Sequence, residues 1–159
     1  MKIKRTFIVL LTTILMFGLL STSVAASEYE GQRVISREVI TYPDGYQLET
    51  VIIVPEYDMF SSNTKQGSKV ATYRNDNGEA LWYVSVTGTF TYTGRRATCT
   101  SSVVNAGSYT EWVIEDKGSS YSGATASAYA LGRIYFNGVL LRGIKQTVTL
   151  TCSVDGVLS

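Results

Sequence analysis

From Ala80 onward the chain alternates between apolar and polar residues. Ala80, Trp82, Val84, Val86, Phe90 and Tyr92 fall on one side of an extended backbone, and Ser85, Thr87, Thr89 and Thr91 on the other. A period of two is the signature of a strand with one buried and one solvated face, whereas a helix repeats its apolar positions every three to four residues. The same period recurs along the rest of the chain. In Arg96 to Val104 it assigns Ala97, Cys99, Ser101 and Val103 inward, and near residue 113 it pairs Trp112 with Ile114. In Ser122 to Phe136 the inward set is Ala124, Ala126, Ala128, Ala130, Ile134 and Phe136, a small-residue face that lets a second sheet approach closely. Val139 to Val154 turns Ile144, Val148, Leu150, Cys152 and Val154 inward, with Gly143 read as a bulge. Asn75-Asp76-Asn77-Gly78 and Asn137-Gly138 supply tight hairpin turns, the first joining Lys69–Arg74 to the strand at Ala80. Six strands between Lys69 and Val154 predict an all-β fold, an antiparallel β-sandwich.

The N-terminus differs in kind. Lys2, Lys4 and Arg5 precede an apolar run from Phe7 to Leu20, followed by small residues ending at Ala26. That is the order of a cleaved export signal, too short and too interrupted for a membrane span. Residues 1–26 are therefore expected to be a signal peptide and the product to be secreted, touching the membrane only before cleavage. Removing Lys2, Lys4 and Arg5 leaves 11 cationic against 13 acidic side chains on the 133 residues that follow. Residues 27–64 hold seven of those acids and only Arg33 and Arg37 as cations. Within them, Val34–Tyr42 and Tyr46–Val54 flank Pro43-Asp44-Gly45, a turn sequence that suits a hairpin packed loosely on the body. The same segment is also readable as a prosegment, with Met59–Gly67 as a linker. The body is taken as residues 65–159.

Composition removes several chemistries. The chain has no histidine, which excludes Ser-His-Asp and Cys-His nucleophilic sites and His-ligated metals. Two cysteines cannot form a four-thiolate metal centre, so no metal site and no cofactor is expected. In an oxidising exterior, Cys99 and Cys152 are expected to form one disulfide between sheets. A near-neutral charge without a basic cluster argues against a nucleic-acid partner.

Cys99, Trp112 and Cys152 resemble the Cys…Trp…Cys skeleton of immunoglobulin-like sandwiches. A second resemblance rests on Leu81-Trp82-Tyr83-Val84-Ser85-Val86-Thr87-Gly88-Thr89-Phe90-Thr91-Tyr92, Ala97-Thr98-Cys99-Thr100 and Thr147-Val148-Thr149-Leu150-Thr151-Cys152-Ser153. Over residues 68 to 159 the chain is similar to a family of uncharacterised short exported proteins of Gram-positive bacteria. The resemblance implies a secreted single domain and carries no active site.

Glu111 and Glu115 are the only carboxylate pair with an enzymatic reading, and like-charged neighbours on one strand face are more simply solvated. No catalytic residue is assigned. Tyr83, Tyr129 and Tyr135 fall opposite the apparent cores of their strands, and exposed rings with a polar tip suit sugar stacking or protein contact. The expected function is that of a non-catalytic extracellular binding or interaction module, its partner an extracellular protein or a cell-wall glycan. The alternative is a small secreted effector, antimicrobial or toxin-like, released from an acidic prosegment.

Overall fold

The computed structural model describes residues 31–56 and 63–159, and the export signal expected at 1–26 lies outside them. Eight strands follow one another: β1 (Gln32–Thr41), β2 (Gln47–Pro55), β3 (Thr64–Arg74), β4 (Ala80–Tyr92), β5 (Ala97–Ser108), β6 (Val113–Ser122), β7 (Thr125–Phe136) and β8 (Val139–Thr151). They form two antiparallel sheets, ordered β1-β2-β3-β4-β5 and β6-β7-β8. Each strand pairs with its neighbours in sequence, so each sheet is a meander. An immunoglobulin sandwich instead alternates its strands between sheets through Greek-key connections.

The period-two residues build the core between the sheets. Trp82, Val84, Val86 and Phe90 of β4 face Ala126, Ala128 and Ala130 of β7 and Val148 and Leu150 of β8, all essentially inaccessible to water. Each fully buried Val, Leu or Phe side chain contributes about 1.5–3 kcal/mol of transfer free energy. The alanine face does what small residues permit. At Gly132, a Cβ would stand 2.7 Å from the Trp82 ring, so only glycine lets that indole lie flat on β7.

Five bulges reset the alternation where sequence period alone cannot see them, at Ile35 of β1, at Leu81 of β4 and in β5, β6 and β8. In β5 the register slips by one at Thr100, so Cys99 opposes Phe90 while Ser101 opposes Thr89. A one-residue slip turns every later side chain to the other face. Val104 and Ala106 therefore pack on the core and Val103 is exposed, reversing the inward assignment of Ser101 and Val103. In β6 the extra residue is Glu115. In β8 it is Leu141, and Gly143 sits in register opposite Arg133 rather than at a bulge.

The hairpin at the acidic segment is an integral part of the first sheet. Pro43-Asp44-Gly45 turns β1 into β2, with Gly45 at φ +85°, and β2 pairs with β3 from Gln47↔Arg74 to Ile53↔Ser68. Leu48, Ile52 and Val54 of β2 belong to the main core, which is why the apolar run Val51–Val54 finds cover on both faces. On the outer side, Glu49 accepts from Arg37 Nε of β1 at 2.8 Å and from Arg74 Nε of β3 at 2.8 Å, tying three strands through one buried carboxylate. The expected linker is partly strand, since Thr64–Gly67 opens β3 opposite Gly88–Thr91.

The expected disulfide is absent. Cys99 and Cys152 are both buried free thiols. Each directs its Sγ to a local carbonyl, Cys99 to Ser101 at 3.2 Å and Cys152 to Ser153 at 3.4 Å, instead of to the other sulfur. Their backbones nonetheless converge on one turn: Cys99 N donates to Gly123 O and Cys152 N to the adjacent Ala124 O. Burial pushes both thiols above the usual cysteine range.

Candidate binding groove

The second sheet has three strands and the first has five. β8 lies over β3 and β4, β7 over β4 and β5, and β6 beside β5, which leaves the β1–β2 end of the first sheet extending past the β8 edge. A groove of about 450 Å³ opens there, lined by Tyr42, Pro43 and Asp44 of the turn, Tyr73 of β3, and Arg142, Ile144, Lys145 and Gln146 of β8. That volume lies in the range of small-molecule sites.

Register explains how these residues meet. Tyr73 opposes Leu48 and Trp82 in the first sheet and so points inward. Arg142, Ile144 and Gln146 oppose Ile134, Gly132 and Ala130, the inward face of β7. The turn carries Tyr42 and Tyr46 into the same region: Tyr42 N donates to Tyr46 O at 2.8 Å, and Gly45 N to Tyr42 O at 3.0 Å.

An aromatic ladder runs from Tyr73 of the groove wall into the core. Tyr46 stacks on Tyr73 with centroids 5.3 Å apart and planes 7° apart, Tyr73 meets Trp112 edge-on at 5.8 Å, and Trp112 stacks on Trp82 at 6.2 Å. Such contacts are each worth roughly 0.5–1.5 kcal/mol beyond their buried area. The Arg142 guanidinium lies 4.5 Å from the Tyr46 ring centre and donates from Nη2 to Asp44 Oδ2 at 2.7 Å. This clasp joins the edge of one sheet to a turn of the other. The hydrogen bond from Arg142 holds the Asp44 carboxyl below its ordinary range.

Two buried polar atoms in this ladder have no hydrogen-bond partner among the described residues, Tyr73 Oη and Trp82 Nε1. Tyr73 is only 3% exposed. Burial pushes its hydroxyl up to about 12, so it stays protonated and is a hydrogen-bond donor at any physiological pH.

The three tyrosines singled out from sequence lie on two outer faces. Tyr83 lies beside Tyr109 at 5.6 Å, over Gly107, on the outside of the first sheet. Tyr129 and Tyr135 both face out from β7. Tyr129 covers Gly118 and carries the Lys145 ammonium 4.2 Å above its ring, and the Asp116 charge raises its phenol. Tyr135 donates to Glu115, which also accepts from Arg133 at 2.6 Å, so the bulge residue Glu115 sits in an ion pair. Glu111 precedes β6 and is exposed. The turn at Asn75 closes on itself, with Asn75 Oδ1 accepting from Asn77 N and Glu79 N. Among the described residues no group of three or more Cys, Asp or Glu is placed to hold a metal ion. Around Asn137-Gly138, the β7–β8 tip exposes Phe136, Val139 and Leu141 by more than three-fifths each.

Sequence reasoning placed Tyr42, Asp44 and Tyr46 only at a turn, and did not connect them to Tyr73 or Arg142. A signal was present in the two tyrosines flanking Pro43-Asp44-Gly45, but Asp44 and Arg142 stand 98 positions apart. Fold and groove together define a two-sheet, sequentially wound β-sandwich with an aromatic cleft at one sheet edge. The chain matches no protein-family model, no curated protein and no solved structure.

Proposed function

We propose that this protein is a secreted, non-catalytic binding module that engages an extracellular glycan or protein through the groove beside β8. The observation that carries the reading is the groove itself, where the rings of Tyr42 and Tyr73 and the Arg142 side chain line one open space. Binding sites combine a mostly apolar wall with a few fixed polar groups in this way. Export is proposed from the N-terminal pattern of Lys2, Lys4, Arg5 and Phe7–Leu20.

On export, Cys99 and Cys152 are proposed to close into a disulfide between the sheets. Their backbones bind the consecutive carbonyls of Gly123 and Ala124. Closing this loop would contribute about 4 kcal/mol in the chain-entropy model, less any native strain. Intact mass without reductant is expected to lack two hydrogens; two alkylatable thiols in the secreted protein would remove the disulfide.

The effector reading requires removal of the segment before Lys65. Such a cut would strip β1 and β2, and with them Leu48, Ile52 and Val54 of the core, which favours one intact unit. The direct test of the module is capture of the purified protein on immobilised cell-wall polysaccharide and on extracellular surface protein. Retention on one of them is expected; retention on neither overturns the reading.

A further inference from the structure

The β7–β8 hairpin ends in an apolar tip that neither the core nor the groove uses. Phe136, Val139, Leu140 and Leu141 are exposed by 65%, 64%, 46% and 62%. Asn137 and Gly138 turn the chain at φ +48° and +79°, the two left-handed residues of a tight type I′ hairpin. Register divides the side chains between both faces, Phe136 pairing with Val139 on one and Tyr135 with Leu140 on the other. Leu141 is the extra residue of the β8 bulge, so three consecutive apolar side chains reach water. A strand end with one wet face would alternate; this tip is apolar all round.

Charge and area narrow what can cover it. Between Arg133 and Arg142 no residue is charged. Both arginines are held by carboxylates, Arg133 by Glu115 at 2.6 Å and Arg142 by Asp44 at 2.7 Å, so the collar of the tip is neutral. A partner recognised by charge has nothing to meet there. The four side chains expose roughly 300 Å² of apolar surface. A stable protein–protein contact takes about 800 Å² from each partner, so two tips meeting end to end fall short by more than half. A fluid hydrocarbon layer needs no fitted surface and takes up apolar area in proportion to its extent.

We propose that the β7–β8 tip inserts into the surface of a lipid bilayer, to the boundary between headgroups and acyl chains. Arg133 and Arg142 stand three residues behind Phe136 and Val139 on their strands. At about 3.3 Å per residue the apolar tip is roughly 10 Å long, the depth that interfacial elements reach. The ion-paired collar then stays among the headgroups. Water still reaches that boundary, which lets the Asn137 amide and the peptide groups of the turn remain solvated. None of these tip residues lines the groove, so the inference goes beyond the groove reading and stands or falls separately from it.

Flotation of the protein, purified after export, with phosphatidylcholine vesicles tests it. The protein is expected to float, with the same partitioning within about twofold at low and high salt and with added phosphatidylglycerol, because the tip is uncharged. Phe136→Ser and Leu141→Ser are each expected to weaken partitioning about tenfold to a hundredfold, with an unchanged urea midpoint because both side chains are already exposed. Val103→Ser, which removes an exposed side chain from the first sheet, is expected to float like the unaltered protein. Absence of flotation overturns the proposal, and so does flotation that Phe136→Ser leaves unchanged. Binding confined to phosphatidylglycerol vesicles and lost at high salt assigns the contact to charge instead of the tip. A dimer in sedimentation velocity that Phe136→Ser dissolves assigns the tip to a second copy of the chain. Each of these outcomes leaves retention on polysaccharide or surface protein, the test of the groove, untouched.

Discussion

Replacing Tyr73 by Phe removes one oxygen and nothing else. The ring is held by Tyr46 at 5.3 Å, Trp112 at 5.8 Å and Trp82 at 6.1 Å, and those contacts survive the change. The hydroxyl makes no hydrogen bond among the described residues in return for its burial. Burying a hydroxyl uncompensated costs roughly 1–3 kcal/mol by mutational measure, so Tyr73→Phe is expected to stabilise the protein by about 1 kcal/mol or more. For a chain of this size that raises the melting temperature by roughly 3–6 °C. Tyr73→Ala makes the contrast, because it also removes the stack and opens a cavity, with a loss of about 3–5 kcal/mol. Urea unfolding of the three proteins followed by tryptophan fluorescence measures both differences. Destabilisation of Tyr73→Phe by 1 kcal/mol or more would mean that the hydroxyl has a partner within the fold, and the reasoning from its uncompensated burial would fail.

Other consequences follow from the same contacts. Glu49→Gln leaves two guanidiniums of the first sheet without their carboxylate and is expected to cost about 1–3 kcal/mol in urea unfolding, since the arginines are themselves partly solvated. Gly132→Ala drives a Cβ into the Trp82 ring and is expected to destabilise by about 1–3 kcal/mol, with a shift in tryptophan emission. Asp44 has its folded carboxyl lowered by Arg142, so the clasp is complete above the ordinary value of 3.8 and is lost as pH falls through the lower folded value. Carboxyl-detected NMR is expected to place the Asp44 midpoint below 3.8 and to return it to the ordinary range in Arg142→Gln.

The sequence carried the strands well because period-two alternation reports a sheet with one wet face, and Asn77-Gly78 and Asn137-Gly138 marked two hairpins, whereas the β6–β7 turn at Gly123-Ala124 fell inside a stretch read as strand. It failed within strands at Thr100, Glu115 and Leu141, where one extra residue reverses the faces and leaves no compositional trace. Val103 and Val104 are chemically identical, and only the register with β4 decides that the second turns inward. The groove was less legible still. Alternation showed that Tyr83, Tyr129 and Tyr135 face outward, yet the aromatic cleft gathers Tyr42, Tyr46 and Tyr73 from a turn and an inward face. Arg142 reaches them only because β8 packs over β3, a tertiary fact with no local signal.

The account turns on the groove being the surface that binds. Tyr42 lies at its rim, is exposed, and belongs to no part of the buried core, so Tyr42→Ala perturbs the groove while sparing the fold. The decisive measurement is retention of Tyr42→Ala and of the unaltered protein, side by side, on the extracellular polysaccharide or surface protein that captures the latter. The account predicts retention of the variant reduced about tenfold, the loss of one aromatic contact in a desolvated site. Equal retention of the two proteins would place binding elsewhere on the sandwich and contradict it.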